Sequence, residues 1–396
     1  MNEPKLRFKA DDGSDFPDWN DELRLEDISS FITKGATPTT YGFEWQTDGV
    51  CFFRNDSIKN NVFIYGDYSY ISEEANEFLK RSEIKAGDII IAITGDIGKV
   101  GMVPRNIKKA NINQHLARVR IERNAVPYFI YMFLCTEKIQ KKYKKIKTGL
   151  SMPQLSLNQI RKTTIPVVAL PEQQKIADFL STIDTVIEKQ KATVEAWEER
   201  KTGVMQKLFS QEVRFKADDG SEFPDWEEKK LGELFDVSAG GDIDKNNSSD
   251  MKSDDFPYKV FANALADNGL YGYANYYKID GDSFTITGRG DVGHAVARHE
   301  KYVPIVRLLV CKPKHNENVD FFTNCFNTRR IFIESTGVPQ LTAPQVINVK
   351  MVVPCLPEQQ KIADCLSSLD DVIEKQKATL AAWEEMKKGL LQQMFV

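Results

Sequence analysis

The sequence lacks the local motifs that mark most well-known catalytic sites. It has no GxxxxGK[ST] phosphate loop, no GxSxG nucleophile turn, no HExxH metal motif and no kinase signature. It also has no Pro-Pro dipeptide, which excludes the Asn-Pro-Pro-aromatic motif of amino-methyltransferases. These absences predict a chain that is not itself an enzyme.

Cysteine and histidine are scarce and scattered. The 6 cysteines never form CxxC, and the 4 histidines have no neighbouring ligands at the spacing that a metal site needs. The N-terminus has no apolar stretch typical of a signal peptide, and no run of about 18 apolar residues occurs. We therefore expect a cytoplasmic protein with reduced thiols, no metal ion and no membrane span.

Negative charge is nearly absent from one part of an otherwise acidic chain. The whole protein has a formal net charge of −4, but residues 124–171 contain one acid, Glu137, and eight basic residues. Six of the eight are lysines between Lys138 and Lys147. Such runs are often only the solvated face of a helix, but the lack of acids favours contact with a nucleic acid backbone.

Long repeats are the strongest feature that the sequence does have. Residues 170–203 recur as 356–389, with 26 of 34 positions identical at an offset of 186. A second segment, Arg7–Trp19, recurs as Arg214–Trp226 at an offset of 207. The two offsets together nearly equal the chain length of 396, so the repeat order is almost circular. We expect a pseudo-two-fold molecule in which an N-terminal arm packs near the end of the C-terminal helix.

The repeats divide the chain into five parts. Residues 1–19 form an N-terminal arm that completes the C-terminal repeat, 20–169 a first unique region, 170–226 a central helical repeat, 227–355 a second unique region and 356–396 a C-terminal helix. The predicted fold class is α+β, with two similar globular β-rich domains joined by two long helices.

The repeated helices carry an apolar seam with heptad spacing. The seam positions alternate at intervals of three and four, which is typical of coiled coils. A helix of about 37 residues is about 55 Å long and needs a partner along its length. We favour one antiparallel coiled coil, with Gln190 beside Lys387 and Lys201 beside Gln376, over two separate amphipathic helices. The predicted central seam consists of Ile183, Ile187, Gln190, Val194, Trp197, Lys201, Leu369, Ile373, Gln376, Leu380, Trp383 and Lys387.

The two unique regions are barely alike in sequence, but they share short motifs at similar places. Strand-like runs include Ile89–Thr94, Ala117–Ile121, Ser283–Thr287 and Ile305–Cys311. Helices are predicted over Pro127–Lys147 and Phe321–Ser335. Both regions contain an Ile-Thr-Gly turn, at 93–95 and 286–288, and both close on Pro-Gln-Leu, at 153–155 and 339–341. We infer one fold with two diverged surfaces.

One glycine pattern matches the dinucleotide-binding fingerprint. Gly288-x-Gly290-x-x-Gly293 has the required spacing, but the residues that follow lack the periodicity of the helix that such a site needs. We therefore interpret it as a tight loop between strands.

Two variable regions alternating with LPEQQKIA repeats resemble the specificity subunit of type I restriction–modification systems. The resemblance covers nearly the whole chain, and it includes the LPEQQ helix starts, the Pro-Gln-Leu closures and the Phe-Pro-Asp-Trp entries at Trp19 and Trp226. It implies two target recognition domains that each read one half of a bipartite DNA site. It also implies helices that set the spacing and dock two methyltransferase subunits, with two restriction subunits joining the complex.

The resemblance further implies a non-catalytic chain that directs adenine methylation and restriction by its partners. We expect S-adenosylmethionine, ATP and magnesium on those partners and no cofactor on this chain. Candidate DNA contacts in the first domain are Lys34, Thr37, Thr94, Lys99, Asn113, Gln114, His115, Lys145, Lys147, Ser151 and Gln154. In the second domain they are Arg289, Arg298, Arg329, Arg330, Thr336 and Gln340. The alternative is a scaffold protein with two β-rich modules and no DNA function, which salt-dependent DNA binding would distinguish.

Overall fold

The structure, a computed structural model, describes residues 4–64, 68–107, 109–122, 124–149, 153–328 and 340–395. The chain forms two compact units. Unit 1 comprises Met1–Lys191 with Ala378–Val396, and unit 2 comprises Ala192–Lys377. Each long helix contributes to both units, because the boundaries fall inside the two helices. The five-part division drawn from the repeats stays a prediction.

Unit 1 contains eleven short strands among its described residues. They are β1 (Glu22–Arg24), β2 (Ser29–Lys34), β3 (Val50–Phe53), β4 (Ile58–Lys59), β5 (Val62–Phe63), β6 (Ser69–Ile71), β7 (Ile89–Ala92), β8 (Val100–Met102), β9 (Ala110–Ile112), β10 (Leu116–Ile121) and β11 (Thr164–Pro166). The helices are α1 (Glu73–Phe78), α2 (Pro127–Cys135), α3 (Glu137–Ile146), α4 (Leu157–Arg161) and α5 (Leu170–Phe209), the last of which continues into unit 2.

Unit 2 repeats this plan. Its strands are β12 (Glu227–Lys230), β13 (Phe235–Ala239), β14 (Ser248–Ser249), β15 (Tyr258–Phe261), β16 (Leu270–Ala274), β17 (Ser283–Ile286), β18 (Ala295–Arg298), β19 (Tyr302–Pro304), β20 (Leu309–Pro313) and β21 (Lys350–Val353). Its helices are α6 (Leu231–Leu234), α7 (Val319–Asn327), α8 (Ala343–Ile347) and α9 (Leu356–Met394), the last of which returns to unit 1.

Each unit is built on one four-stranded antiparallel sheet. The strand order is β2-β10-β7-β8 in unit 1 and β13-β20-β17-β18 in unit 2. A second small sheet in each unit contains one parallel pair, β3 with β9 and β15 with β19. This shared topology confirms that the two dissimilar sequences adopt one fold.

The central sheet of unit 1 is buried on both faces. Ile89 and Ile91 point into the core formed with α2 and α5, whereas Ile90 and Ala92 point into a second core formed with β3 and β9. Burial on both faces explains why β7 is continuously apolar rather than alternating. The sequence correctly placed strands here and at β10, but the predicted strand at Ile305–Cys311 begins only at Leu309.

The predicted helix over Pro127–Lys147 is two helices. Thr136 has an extended backbone, with φ −60° and ψ 147°, and separates α2 from α3. Its hydroxyl donates to the Phe133 carbonyl at 2.7 Å, which satisfies an acceptor at the end of α2. The second predicted helix, Phe321–Ser335, corresponds to α7 over Val319–Asn327, and its last residues lie outside the described part of the chain.

The two long helices pack together as an antiparallel pair within each unit. In unit 1, Lys387 contacts Asp184 at 2.5 Å and Glu384 contacts Lys191 at 3.4 Å. In unit 2, Lys377 contacts Glu198 at 3.0 Å and Asp370 contacts Lys201 at 2.6 Å. Residue numbers fall along α9 as they rise along α5, so the helices run in opposite directions. All twelve predicted seam residues are buried or half-buried.

The ion pairs refine the predicted register. Lys387 and Lys201 bind Asp184 and Asp370, which lie six residues before Gln190 and Gln376 along their helices. Asp184 and Asp370 occupy the same position in the two repeats, as do Lys201 and Lys387. Each lysine therefore binds an aspartate that lies less than one heptad along the helix from the glutamine with which we predicted it to pair.

The repeated arm closes each helix pair through one buried glutamate. In unit 1, Arg7 and the Trp19 indole donate to Glu172, near the start of α5, at 3.0 Å each. In unit 2, Arg214 and Trp226 donate to Glu358 in the same way, at 2.8–3.1 Å. Both glutamates are fully buried. The nearly identical arms therefore bind the starts of the two repeated helices in the same way.

The N-terminal arm also reaches the end of α9, as the circular repeat order predicts. The Leu6 N–H donates to the Gln393 carbonyl at 3.1 Å, and Phe395 packs against Trp19 and Phe129. The equivalent bond in unit 2 joins Val213 to Lys207 at 3.3 Å, where the chain is continuous. The same contact thus joins two distant segments of sequence in unit 1 and two neighbouring residues of one turn in unit 2.

Candidate nucleic-acid interface

Three turns of unit 1 meet at one edge, which we call edge 1: Thr37, Thr94, Asn113, Gln114, His115 and Gln154. The turn after β2 contains Gly35, where a Cβ atom would lie 1.8 Å from the Ile112 carbonyl oxygen, so only glycine fits. This close approach brings the Thr37 hydroxyl onto the Gln114 side chain, to which it donates a hydrogen bond. Gln114 in turn contacts His115 at 3.2 Å.

The Asn113 side chain positions this turn rather than facing solvent. It is buried, and its oxygen accepts from the His115 backbone N–H at 3.1 Å. The His115 carbonyl accepts from Ile93 at 2.9 Å, which places the next residue, Thr94, alongside. Thr94 forms a β-bridge with Gln154, and Leu155 donates to the Ile93 carbonyl at 2.9 Å. The Pro-Gln-Leu closure therefore belongs to edge 1.

A basic cleft lies beside edge 1. Its volume is about 460 Å³, and it is lined by Lys99, Lys144 and Lys147 together with Asn60 and Asn61. Lys99 also contacts Asp96 at 2.5 Å. The cleft adjoins edge 1 because Thr148, next to Lys147, exchanges backbone hydrogen bonds with Gln154 at 2.9 and 2.7 Å.

Helix α3 presents its lysines to solvent because its apolar side is anchored. Ile139 and Tyr143 are buried in the core, and burial raises the pKa of the Tyr143 hydroxyl to about 12. Lys144, Lys145 and Lys147 are exposed. Lys34 is also exposed, at the end of β2. Edge 1 and the cleft together combine amides, hydroxyls and positive charge.

Unit 2 has an edge of the same construction, edge 2: Asp242, Asn263, Arg289, Val306, Arg307 and Gln340. Gly240 donates to Leu308 at 2.8 Å as Gly35 donates to Leu116 at 3.2 Å. Arg289 forms a β-bridge with Gln340, and Leu341 donates to Gly288 at 2.9 Å. By these contacts Arg289 takes the place of Thr94, and Arg307 takes the place of His115.

The loop that has the same conformation in both units is Gly-Asp-Ile-Gly at 95–98 and Gly-Asp-Val-Gly at 290–293, rather than the Ile-Thr-Gly triplet. Gly95 and Gly98 have φ of 75° and 83°, and Gly290 and Gly293 have φ of 72° and 91°. The closing bonds agree, since Gly98 donates to Ala92 and Gly293 donates to Thr287, each at 2.8 Å. The two turns therefore correspond from Gly95 and Gly290 onward, which is two residues later in unit 2 than its Ile-Thr-Gly triplet. The loop joins strands β17 and β18, which confirms our interpretation of the glycine pattern as a tight loop between strands.

The structure places the predicted second-domain residues unevenly. Arg289 is exposed and Gln340 half-buried, both on edge 2. Arg298 is buried and stacks on the Phe261 ring at 3.6 Å, and desolvation lowers the pKa of its guanidinium to about 10. It donates to the Thr285 hydroxyl and the Asn268 carbonyl, so we assign it a role inside the fold. Ser151, Arg329, Arg330 and Thr336 lie outside the described residues.

Sequence reasoning missed four residues of edge 2. Asp242 and Asn263 were not predicted, and Val306 and Arg307 were missed because Ile305–Cys311 looked like one uninterrupted strand. Val306 and Arg307 instead have φ of 51° and 58°. A β-branched residue rarely adopts this left-handed conformation, which costs about 1–2 kcal/mol per residue. The sequence around Val306 does not indicate such a turn. The one indication is indirect, because the Asn113-Gln114-His115 triplet forms the equivalent turn before β10 in unit 1.

The described residues contain neither a metal-binding cluster nor a helix suited to spanning a membrane. No group of three histidine, cysteine or acidic side chains there could hold an ion. No helix of the described chain has the length and hydropathy to cross a bilayer. All six cysteines are free thiols.

Comparison with known proteins identifies the family. The family model described as type I restriction modification DNA specificity domain matches residues 17–196 and 224–382. The chain belongs to this family. Specificity subunits of type I restriction systems are non-catalytic, and the catalytic activities lie in partner subunits. The resemblance recognised from the repeats is therefore confirmed.

Relatives and solved structures extend over the same length. A putative type I restriction enzyme MjaX specificity subunit from Methanocaldococcus jannaschii is 26% identical over 97% of this chain and 94% of its own length. The MjaVIII specificity subunit of the same organism is 25% identical over 82% of this chain and 84% of its own length.

Two solved structures share the fold of this specificity subunit. The S subunit from M. genitalium has a TM-score of 0.61 at 16% identity, covering 100% of this chain and 99% of its own. A chain from a study of complex assembly and conformational transition of the type I R-M system has a TM-score of 0.56 at 17% identity, covering 95% and 97%.

Proposed function

We propose that unit 1 and unit 2 each bind one half of a bipartite DNA site, through edge 1 and edge 2. The observation that carries the proposal is one three-turn framework that presents different side chains in the two units. The amide of Gln114 suits an adenine edge and the guanidinium of Arg289 a guanine edge or a phosphate. Edge 1 and edge 2 share their backbone turns but differ in their side chains, as suits two DNA half-sites of different sequence.

The lysines of the basic cleft serve a different purpose in this proposal. Lys99, Lys144 and Lys147 are cationic and two of them are exposed, as suits contacts with DNA phosphates. Phosphate contacts position a protein on the duplex, whereas base contacts specify the sequence. We therefore assign affinity to the cleft and sequence discrimination to the two edges.

The repeated helices supply the partner surfaces in our proposal. Because α5 and α9 present nearly identical sequences, they suit two copies of one modification subunit, with two restriction subunits completing the complex. We propose that this chain binds no cofactor and that S-adenosylmethionine, ATP and magnesium are held by those partners. Methylation of an adenine requires the base to leave the stack, which is the work of the modification subunit.

Methylome sequencing of a host that expresses the chain with its modification subunit tests the proposal. We expect adenine methylation at one bipartite sequence with two unlike halves and a fixed gap. A purified complex should bind that duplex more tightly than random duplex, with affinity that falls as salt rises. Equal binding of both duplexes would refute the proposal in favour of a scaffold protein.

A further inference from the structure

The turn at Val306 and Arg307 is strained, and its two side chains are exposed. Val306 has φ of 51° and is 48% exposed, and Arg307 has φ of 58° and is also exposed. Strain of this kind persists only where the surroundings enforce it, and it is concentrated at functional sites. Burial cannot account for it here, since neither side chain packs into a core.

Backbone hydrogen bonds hold the turn from one side. The Val306 N–H donates to the Gly241 carbonyl and the Arg307 N–H to the Gly240 carbonyl, each at 2.9 Å. Gly240 can approach this closely because it has no side chain: a Cβ atom would lie 2.6 Å from the Pro304 carbonyl carbon. The turn is therefore fixed by its neighbours and does not depend on the side chain of Val306.

Asn263 ties the turn to the rest of edge 2. Its amide nitrogen donates to the Val306 carbonyl at 2.5 Å, and its oxygen accepts from the Gly288 N–H at 2.7 Å. Gly288 precedes Arg289, which is bridged to Gln340. The Asn263 side chain thus fixes the relative positions of the backbone at two exposed arginines, Arg289 and Arg307.

The Arg307 guanidinium is available for a ligand. Among the described residues of unit 2, none accepts a hydrogen bond from it, in contrast to the Arg298 guanidinium with its two internal acceptors. Nearby charges are of both signs: Lys278 lies close to Gly241, and Asp242 follows it in sequence. Because the backbone of the turn is fixed and the planar Arg307 guanidinium has no partner among the described residues, the guanidinium is suited to an oriented, bidentate contact with a base. A contact with a phosphate would not need such a fixed orientation.

We propose that Arg307 reads a guanine in the half-site of unit 2, with the Val306 backbone and the Asn263 side chain positioning it. The inference rests on the proposed function. The Arg307 fork donates to the O6 and N7 atoms of guanine in the major groove, as bidentate arginine contacts do. Arg307 occupies the place that His115 has in unit 1, so the same turn contributes to both half-sites.

Binding of the full-length chain, in complex with its modification subunit, to a panel of duplexes tests the proposal. The panel varies each base pair of the site found with the wild-type chain. We expect Arg307→Ala to lose about 5- to 150-fold of discrimination at one guanine of the second half-site, the range of a bidentate pair. Discrimination in the first half-site should be unchanged.

Two further variants separate base reading from charge and from folding. Arg307→Lys keeps the charge but not the fork, so discrimination at that guanine should stay lost. Val306→Gly relieves the strain but keeps the backbone hydrogen bonds that hold the turn, so it should keep or raise the melting temperature and leave discrimination at that guanine unchanged. Lys312→Ala, an exposed cation at the far end of β20, is the control and should change neither.

The outcomes are distinct. If wild-type protein gives no bipartite site, the proposed function fails and this inference with it. If the wild-type site is present but its second half has no guanine, or Arg307→Ala keeps the guanine preference, the inference alone is overturned. Full recovery of discrimination by Arg307→Lys would also overturn it, because that result is typical of a phosphate contact.

Discussion

At the scale of single residues, each repeated arm contacts one fully buried carboxylate. Glu172 and Glu358 are fully buried, and each accepts hydrogen bonds from an arginine and a tryptophan of its arm. Each also lies in the first turn of its helix, where the helix dipole favours an anion. The cost of burying the carboxylate is offset only while all these donors are present.

Replacing Arg214 with alanine should therefore destabilise unit 2. The change leaves the Glu358 carboxylate buried with the Trp226 indole as its remaining side-chain donor, and we expect a loss of about 2 kcal/mol, as for a buried acceptor that loses a donor. Chemical denaturation followed by circular dichroism measures it. Lys216→Ala in the same arm removes an exposed ion pair with Glu222 and should cause no measurable loss. Equal effects of the two changes would contradict a special role for the buried pair.

His299 gives unit 2 a small pH-dependent stabilisation. Partial burial opposes its charge, but hydrogen bonds to Asp282 and Asp320 outweigh that effect and raise the pKa of the imidazole. A raised pKa stabilises the fold below the unfolded value of about 6.5, and the gain is lost as pH rises through the folded pKa. His299→Asn should thus lower the melting temperature at pH 5.5 and have little effect at pH 8.5. The reverse order would contradict the assignment.

Residues that carry polar functional groups were easier to predict than residues that carry backbone strain. Thr37, Gln114 and Gln154 were identified as candidate contacts from sequence, and the structure brings them to one edge. Val306 could not be identified, because the sequence around it favours a strand and the bonds that force its left-handed backbone come from Gly240 and Gly241. Such tertiary constraints override local propensity.

At the scale of elements, the long helices were the most predictable part of the molecule. Heptad periodicity along each repeated helix requires a partner helix, and the structure provides one. The break at Thr136 was less predictable, since the apolar stripe of α2 and the lysine-rich sequence of α3 are compatible with one helix. The extended backbone of Thr136 separates the two helices there, and its hydroxyl donates to the Phe133 carbonyl at the end of α2.

The two equivalent lysine–aspartate pairs between the helices should differ in strength. Asp184 is 28% exposed and Asp370 is 49% exposed, while the two lysines are about equally covered. We expect Lys387→Ala to cost about 1–2 kcal/mol and Lys201→Ala less than about 1 kcal/mol, because exposed pairs are screened by water. Urea denaturation of both variants measures the difference, and each variant is the matched control of the other. A larger loss for Lys201→Ala would refute the exposure argument.

At the scale of the whole molecule, each unit uses both long helices. Unit 1 contains the first part of α5 and the last part of α9, and unit 2 contains the remainder of each. The near-circular repeat order predicted that the arm and the C-terminal helix would meet. The identity of the edge residues does not follow from this symmetry, because the two unique regions share a fold but few side chains.

Lengthening both helices should change the gap between the half-sites. Seven residues inserted after Lys191 in α5 and seven before Ala378 in α9 keep the seam in phase and add about 10 Å of helix. That length corresponds to about three base pairs at 3.4 Å each. Methylome sequencing should show unchanged half-sites with a wider gap. An insertion in α5 alone is the control, and we expect it to abolish modification.

The meeting of the chain ends in unit 1 also determines the order in which the protein is completed on the ribosome. Residues 192–377 of unit 2 have all been synthesised before any of Ala378–Val396 exists. Unit 1 has to wait for that last segment, because Met394 and Phe395 are buried in its core. Unit 1, which contains residues that precede all of unit 2, therefore cannot complete its core until residues that follow all of unit 2 have been made.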